Sequence, residues 1–418
     1  MVDEVPPQTA RDRRLLFATR FVRLFAYGSL SVVLVFYLIA VGLTEAQVGL
    51  LLTLTLLGDT VVSLLMTTHA DRLGRRRMLV AGALLMAGAG LVMAATNRFW
   101  LLVLAATAGV ISPSGQEVGP FLPIEQAALT GLVDDRARTA LYARYALTGA
   151  VATALGALAG GLLTRVFQDG TTATIGSYRS VVFLYAVLGA LLAVLFSRLS
   201  GRTEPFLASD HSGGSANAFT GLGRAESRHV VLNLAALFAL DAFGGGFVAQ
   251  SFAAYWFYLR FGVEPAALGP IFFAANVLAG FSALVASRIA ARVGLVRTMV
   301  WTHLPSNVLL VLVPLMPTLP LAVAVLLLRF SISQMDVPTR QSYVMAVVAP
   351  AERSAAGGVT GVARTVGAAI SPLFAGLCFA RPSLVNLPFF IAGTLKIVYD
   401  LVLYKRFASV RPAEEAQP

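Results

Sequence analysis

The stretch HADRLGRRRMLV (His69–Val80) decides how this chain is read. It lies between two long apolar runs and places one acid, one glycine and four arginines within Asp71–Arg77. Charge of that density between greasy segments belongs at a membrane surface, where arginines fix the side on which a loop stays. The composition agrees. Of 418 residues, 57% are hydrophobic and 13% charged, against about 25% charged in a soluble domain. The net charge of +11 does not point to nucleic acid, because the arginines fall in short clusters between apolar segments rather than on one soluble face. The single cysteine, Cys378, lies in an apolar run and cannot form an intrachain disulfide, so neither a redox compartment nor a metal cluster is indicated. No zinc spacing, nucleotide loop or nucleophile elbow occurs. No cofactor is expected, and an enzyme reading has no catalytic set to stand on.

A bilayer core about 30 Å thick takes roughly 20 residues of helix. Turn signals divide the apolar sequence into twelve such runs, near 18–41, 47–68, 78–96, 99–130, 140–164, 180–198, 229–259, 267–287, 298–316, 320–348, 356–380 and 386–404. Residues 1–14 read as a cytosolic tail, 15–199 as a first six-span bundle, 200–228 as a Gly- and Ser-rich cytosolic linker, 229–404 as a second bundle and 405–418 as a cytosolic tail. With both termini inside, twenty lysines and arginines fall in inside segments and five (Arg98, Arg165, Arg179, Arg260, Arg381) outside. That bias orients both termini to the cytosol, and the inner or plasma membrane is the expected location of this multi-pass chain.

The two halves repeat. At an offset of 220, Gly42 matches Gly262, Gly49 matches Gly269, Arg72 matches Arg292, Gly74 matches Gly294 and Arg77 matches Arg297. At an offset of 215, PIEQAALTGLVDDRARTA (Pro123–Ala140) lies over PTRQSYVMAVVAPAERSA (Pro338–Ala355), and the register runs on until GALAGG (Gly156–Gly161) meets SPLFAG (Ser371–Gly376). Six spans per half keep both copies in one orientation, which relates them by a pseudo-twofold axis along the membrane normal. The change of offset puts about five extra residues in span four. ISPSGQEVGPF (Ile111–Phe121), with two prolines and two glycines, is where they belong. An unwound or kinked fourth span follows.

Twelve spans, parallel halves, a long central loop and a charged loop between spans two and three resemble the major facilitator superfamily. Its signature in that loop is G-x-x-x-D-R-x-G-R-R. Asp71, Arg72, Gly74, Arg75 and Arg76 match, and Thr67 stands where the first glycine is expected. The fold this implies is an all-α membrane protein of twelve transmembrane helices in two parallel six-helix bundles. The same resemblance makes the loop a conformational latch. Gly74 permits the tight turn, and Asp71 is placed to pair with arginines and with the positive N-terminus of a facing helix. Asp59 and Arg364 form a second latch pair if spans two and eleven meet, as they do in the family. GALAGG resembles the G-P-x-x-G-G motif of the drug:proton antiporter branch, with Ala157 in place of proline. Gly156, Gly160, Gly161, Ser371 and Pro372 also read as a small-residue packing surface.

A charge at mid-bilayer costs about 2.5–3.5 kcal/mol even on insertion scales. Spans one, four, seven and ten, which line the cavity in the resembled family, all carry charge. Span pairs one with four and seven with ten are expected to neutralise one another. Burial favours the neutral form of an acid and a nearby arginine favours its carboxylate, so Asp241, Asp336 and Glu117, in that order, are candidates to carry a coupling proton. Arg20, Arg23, Glu125, Arg329 and Arg340 are candidates for the substrate cavity. Lys396 and Asp400 share a helix face at i, i+4 and are expected to pair locally. His303 stands alone in span nine, and YWFY (Tyr255–Tyr258) reads as an interfacial belt.

Together these point to a secondary active transporter working by alternating access, with proton-coupled efflux of an amphipathic or toxic compound as the leading reading. Uptake of a small anion or nutrient is the alternative, and a receptor or scaffold on a transporter fold is the alternative of another class. The expected partners are a small-molecule substrate, protons (sodium as the other coupling ion) and the lipid bilayer, with the chain acting as a monomer.

Overall fold

The computed structural model describes residues 7–130, 132, 135–168, 174–204, 225–349 and 352–408. Most of the expected linker (205–224), the first six residues and the end of the C-terminal tail (409–418) lie outside them. The described secondary structure is helical throughout: α1 (Pro7–Ala40), α2 (Glu45–Leu73), α3 (Arg75–Ala95), α4 (Phe99–Ala108), α5 (Phe121–Thr130), α6 (Asp135–Val166), α7 (Ile175–Ser197), α8 (Ala225–Gly246), α9 (Gln250–Phe261), α10 (Pro265–Val293), α11 (Leu295–Leu312), α12 (Leu319–Phe330), α13 (Asp336–Ala346), α14 (Arg353–Phe379) and α15 (Leu387–Phe407). Taking α8 with α9 as one span, ten helices among the described residues are long and apolar enough to cross a membrane. The other two spans are each split, α4 with α5 and α12 with α13. Large apolar side chains such as Val61, Leu64, Leu65 and Leu104 are exposed, an arrangement suited to lipid, which demands only that polar backbone be satisfied internally.

The split of span four falls at Gly109–Pro120, where the prolines and glycines predict it. Gly115 and Gly119 take φ of +70° and +83°, a region that side chains with a Cβ avoid. The freed backbone is satisfied from neighbouring helices. Tyr185 donates to Val110 O, Thr153 donates to Gly115 O at 3.4 Å, and Asp59 accepts from Gly119 N at 3.1 Å. Spans seven and ten also break, at Phe247–Ala249 and Ser331–Met335.

The chain divides into two compact units, Met1–His211 with Val263–Phe273, and Ser212–Gly262 with Ala274–Pro418. The start of α10 groups with the first unit. Glycine explains how: a Cβ on Gly161 would meet backbone atoms of Pro265 and Gly269. In the first unit α1 packs on α6 and α7, and α3 on α7; in the second α8 packs on α14, and α15 on α11. Matched glycines of the sequence repeat share their special backbone, with φ of +99° at Gly42 and +69° at Gly262, and +100° at Gly74 and +88° at Gly294.

The α1–α6 crossing is built on small residues. A Cβ added to Gly156 or Gly160 would clash with the carbonyl oxygens of Phe25 and Ser29. In the second unit Gly246 lies against Ser371 of α14, and Pro372 sits within that helix. Gly156→Leu is therefore expected to force α1 and α6 apart and cost about 1–3 kcal/mol. Heat inactivation of the detergent-purified protein checks this, and an unchanged midpoint would refute the packing account.

The expected N-terminal tail is partly structured. Helix α1 begins at Pro7, and the buried Asp12 accepts from Ser200 N at 3.1 Å and from the Ser200 hydroxyl. The start of the expected linker is likewise fixed, with Gly201–Thr203 forming a 3-10 turn. YWFY is mostly core rather than belt. Tyr255, Trp256 and Phe257 are buried and only Tyr258 is exposed, because Trp256 packs on Phe389 at 4.6 Å and donates to Asn386 Oδ1 at 2.9 Å.

Candidate functional site

Each unit holds its own buried charge network. In the first, α1 carries Arg20 and Arg23 one turn apart, facing the broken fourth span. Arg23, fully buried, donates from NH1 and NH2 to Glu125 of α5 at 2.8 and 2.7 Å and from Nε to Glu117 at 3.0 Å. Arg20 donates to Glu117 at 2.8 Å and to Tyr145 O at 2.8 Å. Thr19 and Tyr145 add hydroxyl bonds to Glu125 at 3.0 and 2.5 Å. The planar guanidinium suits this bidentate geometry, and Arg20 and Arg23 lie over the rings of Tyr145 and Phe121 at 4.4 and 4.7 Å. Two arginines meet two glutamates, so the cluster is neutral. The side chain of Glu117 is 17% exposed while that of Glu125 is 0% exposed, making Glu117 the more accessible member of the cluster.

The second network is larger. Asp241 of α8 accepts from Lys396 of α15 at 2.5 Å and from Arg340 of α13 at 3.2 Å. Arg340 also donates to Asp336 at 2.8 Å, one turn below it. The matched positions Glu125 and Arg340 carry opposite charge. In the first unit the cations sit on span one and the acids on span four, whereas in the second Asp241 lies on span seven and Arg340 on span ten.

Two sequence expectations fail here. His303 is not alone: its Nδ1 lies 2.8 Å from Asp400 Oδ1 and its Nε2 3.7 Å from Asp241 Oδ1. Lys396 and Asp400 do not pair locally. Lys396 reaches Asp241, and Asp400 is held by His303 and by Asn307, which donates to it at 2.8 Å. The i, i+4 spacing offered a nearby partner, but packing of α15 on α8 and α11 offers each charge a stronger one. His303, Asn307 and Lys396 are thus network members the sequence did not reveal, since helix neighbours leave no local pattern.

Arg329, an expected cavity residue, and Arg364, an expected latch residue, differ from the arginines above. The Nε of each is buried without a hydrogen-bond partner. Arg329 stacks on the ring of Phe330 at 5.0 Å, and both lie within electrostatic reach of Asp241 and Asp336.

The loop between α2 and α3 is set by its own unit. Gly74 has φ of +100°. Asp71 is largely exposed and bonds to Arg75 at 2.8 Å. The acid at the positive start of α3 is not Asp71 but Glu204, which accepts from the amides of Arg75 and Arg76 at 2.6 and 3.1 Å. Arg75 and Arg76 then reach the carbonyl oxygens of Ala127 and Leu199 at 3.1 and 3.2 Å, while Arg72 is exposed. Glu204→Ala should cost about 0.5–2 kcal/mol by uncapping α3. Hydrogen exchange would show it as faster exchange confined to the first turn of α3, and unchanged exchange there would contradict the cap. No group of three or more metal-ligating side chains occurs among the described residues.

The sequence profile of the Major Facilitator Superfamily matches residues 16–372. The uncharacterized membrane protein YJR124C of Saccharomyces cerevisiae (strain ATCC 204508 / S288c) is 33% identical over 426 residues, covering 96% of this chain and 95% of its own. Among solved structures, the nucleoside transporter NupG superposes with a TM-score of 0.72 at 13% identity over 95% of this chain and 99% of its own. A D-xylose-proton symporter does so with a TM-score of 0.72 at 15% identity over 94% and 97%. At these identities the structures speak for the fold, whereas the profile and the full-length relative speak for descent: the chain belongs to the major facilitator superfamily.

Proposed function

We propose that this protein is a secondary active transporter that moves a small molecule by alternating access, coupled to protons, with sodium as the other candidate ion. The observation that carries the reading is the pair of buried charge networks, one in each unit. Buried ion pairs are a poor route to stability and expensive inside a membrane. Their presence at helix breaks is what a machine needs if it is to exchange partners during a cycle. Asp241 is the hub of the second network, because Lys396, Arg340 and His303 all address it. Asp336 and Glu117 are the further exchange points. Arg20, Arg23, Glu125 and Arg340 position these acids. In this reading the Asp71–Arg76 loop serves as the latch. The chain works as a monomer in the inner or plasma membrane with both termini cytosolic.

Export of an amphipathic compound is the leading direction, supported by the resemblance of the small-residue face of α6 to that of drug:proton antiporters. Transport of a small anion is the second reading, and one observation favours it. Among the described residues, four cations (Arg329, Arg340, Arg364, Lys396) stand against three carboxylates (Asp241, Asp336, Asp400), and Arg329 and Arg364 have no ion pair with an acid. An anionic substrate would complete that balance. A host lacking its own exporters separates the two. Gain of resistance to amphipathic toxins supports export, growth on a supplied organic anion supports the second reading, and flux of neither class into proteoliposomes would refute transport.

A further inference from the structure

Among the described residues, Asp59 is the intramembrane acid that both networks leave out. It lies in α2, 4% exposed. Its Oδ2 accepts from the Gly119 amide at 3.1 Å, and its Oδ1 is buried with no hydrogen-bond partner. Within its unit no described lysine, arginine or histidine reaches it. The groups that face it are Tyr27 of α1, Tyr185 of α7 and Glu117 of the break in span four. None of these is a cation. The Tyr27 and Tyr185 hydroxyls are turned to the carbonyl oxygens of Val118 and Val110, and Glu117 is held by Arg20 and Arg23. Of the other helices packed on α2, α3 beyond Arg77 and all of α4 have no titratable side chain, and Glu125 of α5 is bound to Arg23.

A bare carboxylate in such surroundings is costly, whereas the neutral acid is tolerated with a single accepted bond. We propose that Asp59 is a proton-binding site of this protein, its occupancy transmitted to the broken fourth span through the Gly119 amide. The reporting element is well placed. Gly119, at φ +83°, stands two residues from Glu117, the partner of Arg20 and Arg23. Ionising Asp59 converts its contact with Gly119 into a charge-assisted bond and draws on that amide more strongly. The same step sets a negative charge beside Glu117 and strains its hold on the two arginines. Loss of the proton from Asp59 thus loosens the first network without any group in that network changing its own protonation. The inference deepens the proton-coupled reading and takes its purpose from it, but its test does not pass through transport.

The test is pH-difference infrared spectroscopy on the purified full-length chain in lipid. The wild type is expected to show the carbonyl band of a protonated carboxylic acid in apolar surroundings, lost as the pH is raised. Asp59→Asn should remove the band, Asp241→Asn should keep it, and Asp59→Glu should move it. A wild-type protein with no such band, or a band that survives intact in Asp59→Asn, overturns the proposal. Should Asp59→Asn fail to fold, Asp59→Glu decides: a moved band supports the site and an unmoved one overturns it. Flux lost in Asp59→Asn with the band intact would sink this inference and leave transport standing. Band loss in a protein that carries no solute would do the reverse.

Discussion

Glu125→Gln is expected to destabilise the folded chain by about 3 kcal/mol, the lower end of the range for breaking a buried ion pair. Arg23 is fully buried and makes two of its three carboxylate bonds to Glu125. Glutamine keeps the shape and one acceptor but leaves the cluster with two arginines and one carboxylate. Glu117 still holds both arginines, which keeps the loss from reaching the upper end. The bonds that Thr19 and Tyr145 donate to Glu125 also weaken, because they lose a charged acceptor. Heat inactivation in detergent should therefore fall well below that of the wild type. The double variant Arg23→Met with Glu125→Met restores neutrality by removing one charge of each sign. Since apolar replacement of a whole buried pair is often neutral or better, it should recover most of the loss. A single variant that melts with the wild type, or a double variant worse than the single, would show that charge balance does not govern this cluster.

The second large effect is on transport. Asp241→Asn removes the carboxylate shared by Lys396 at 2.5 Å and Arg340 at 3.2 Å. Arg340 keeps Asp336, but Lys396 is left buried with no acid. The expected outcome is a fall of about a hundredfold in gradient-driven flux, which corresponds to about 2.7 kcal/mol and lies within the cost of truncating one partner of a buried charged pair. Exchange of substrate at equal pH on both sides should persist within a few-fold, because binding and the rocking motion do not require net charge movement. Lys396→Met added to Asp241→Asn should relieve the uncompensated ammonium and raise the protein's stability without restoring the drive. If driven flux and exchange fall together, Asp241 is a structural residue and not the exchange point.

Much of this arrangement was legible in the sequence, for identifiable reasons. Pro113, Gly115, Gly119 and Pro120 advertise the break in span four because those residues cannot continue a helix cheaply. The break in span ten was invisible, since SISQM (Ser331–Met335) contains neither proline nor glycine; it mirrors span four only in the fold. Arg20 and Arg23 with Glu117 and Glu125, and Asp241 with Arg340, were readable as pairs because charges in four apolar spans have few partners available. Lys396, His303 and Asp400 were not, because which faces of α8, α11 and α15 meet is decided by packing and leaves no periodic mark. Glu204 carries no mark in the sequence, being one acid at the edge of a Gly- and Ser-rich segment, and only the three-dimensional course of the chain brings it to the start of α3. The packing role of Gly156 and Gly160 was visible as small residues spaced along one helix face, and the structure supplies what they meet.

The most direct test of the central claim, that buried ion networks couple proton movement to substrate movement, is to follow external pH while substrate crosses the membrane of proteoliposomes holding the wild-type chain. The account predicts a proton flow that accompanies the substrate, reverses when the substrate gradient is reversed and is lost in Asp241→Asn. Substrate that crosses at full rate with no movement of protons or sodium, and with no response to an imposed gradient of either, would contradict it.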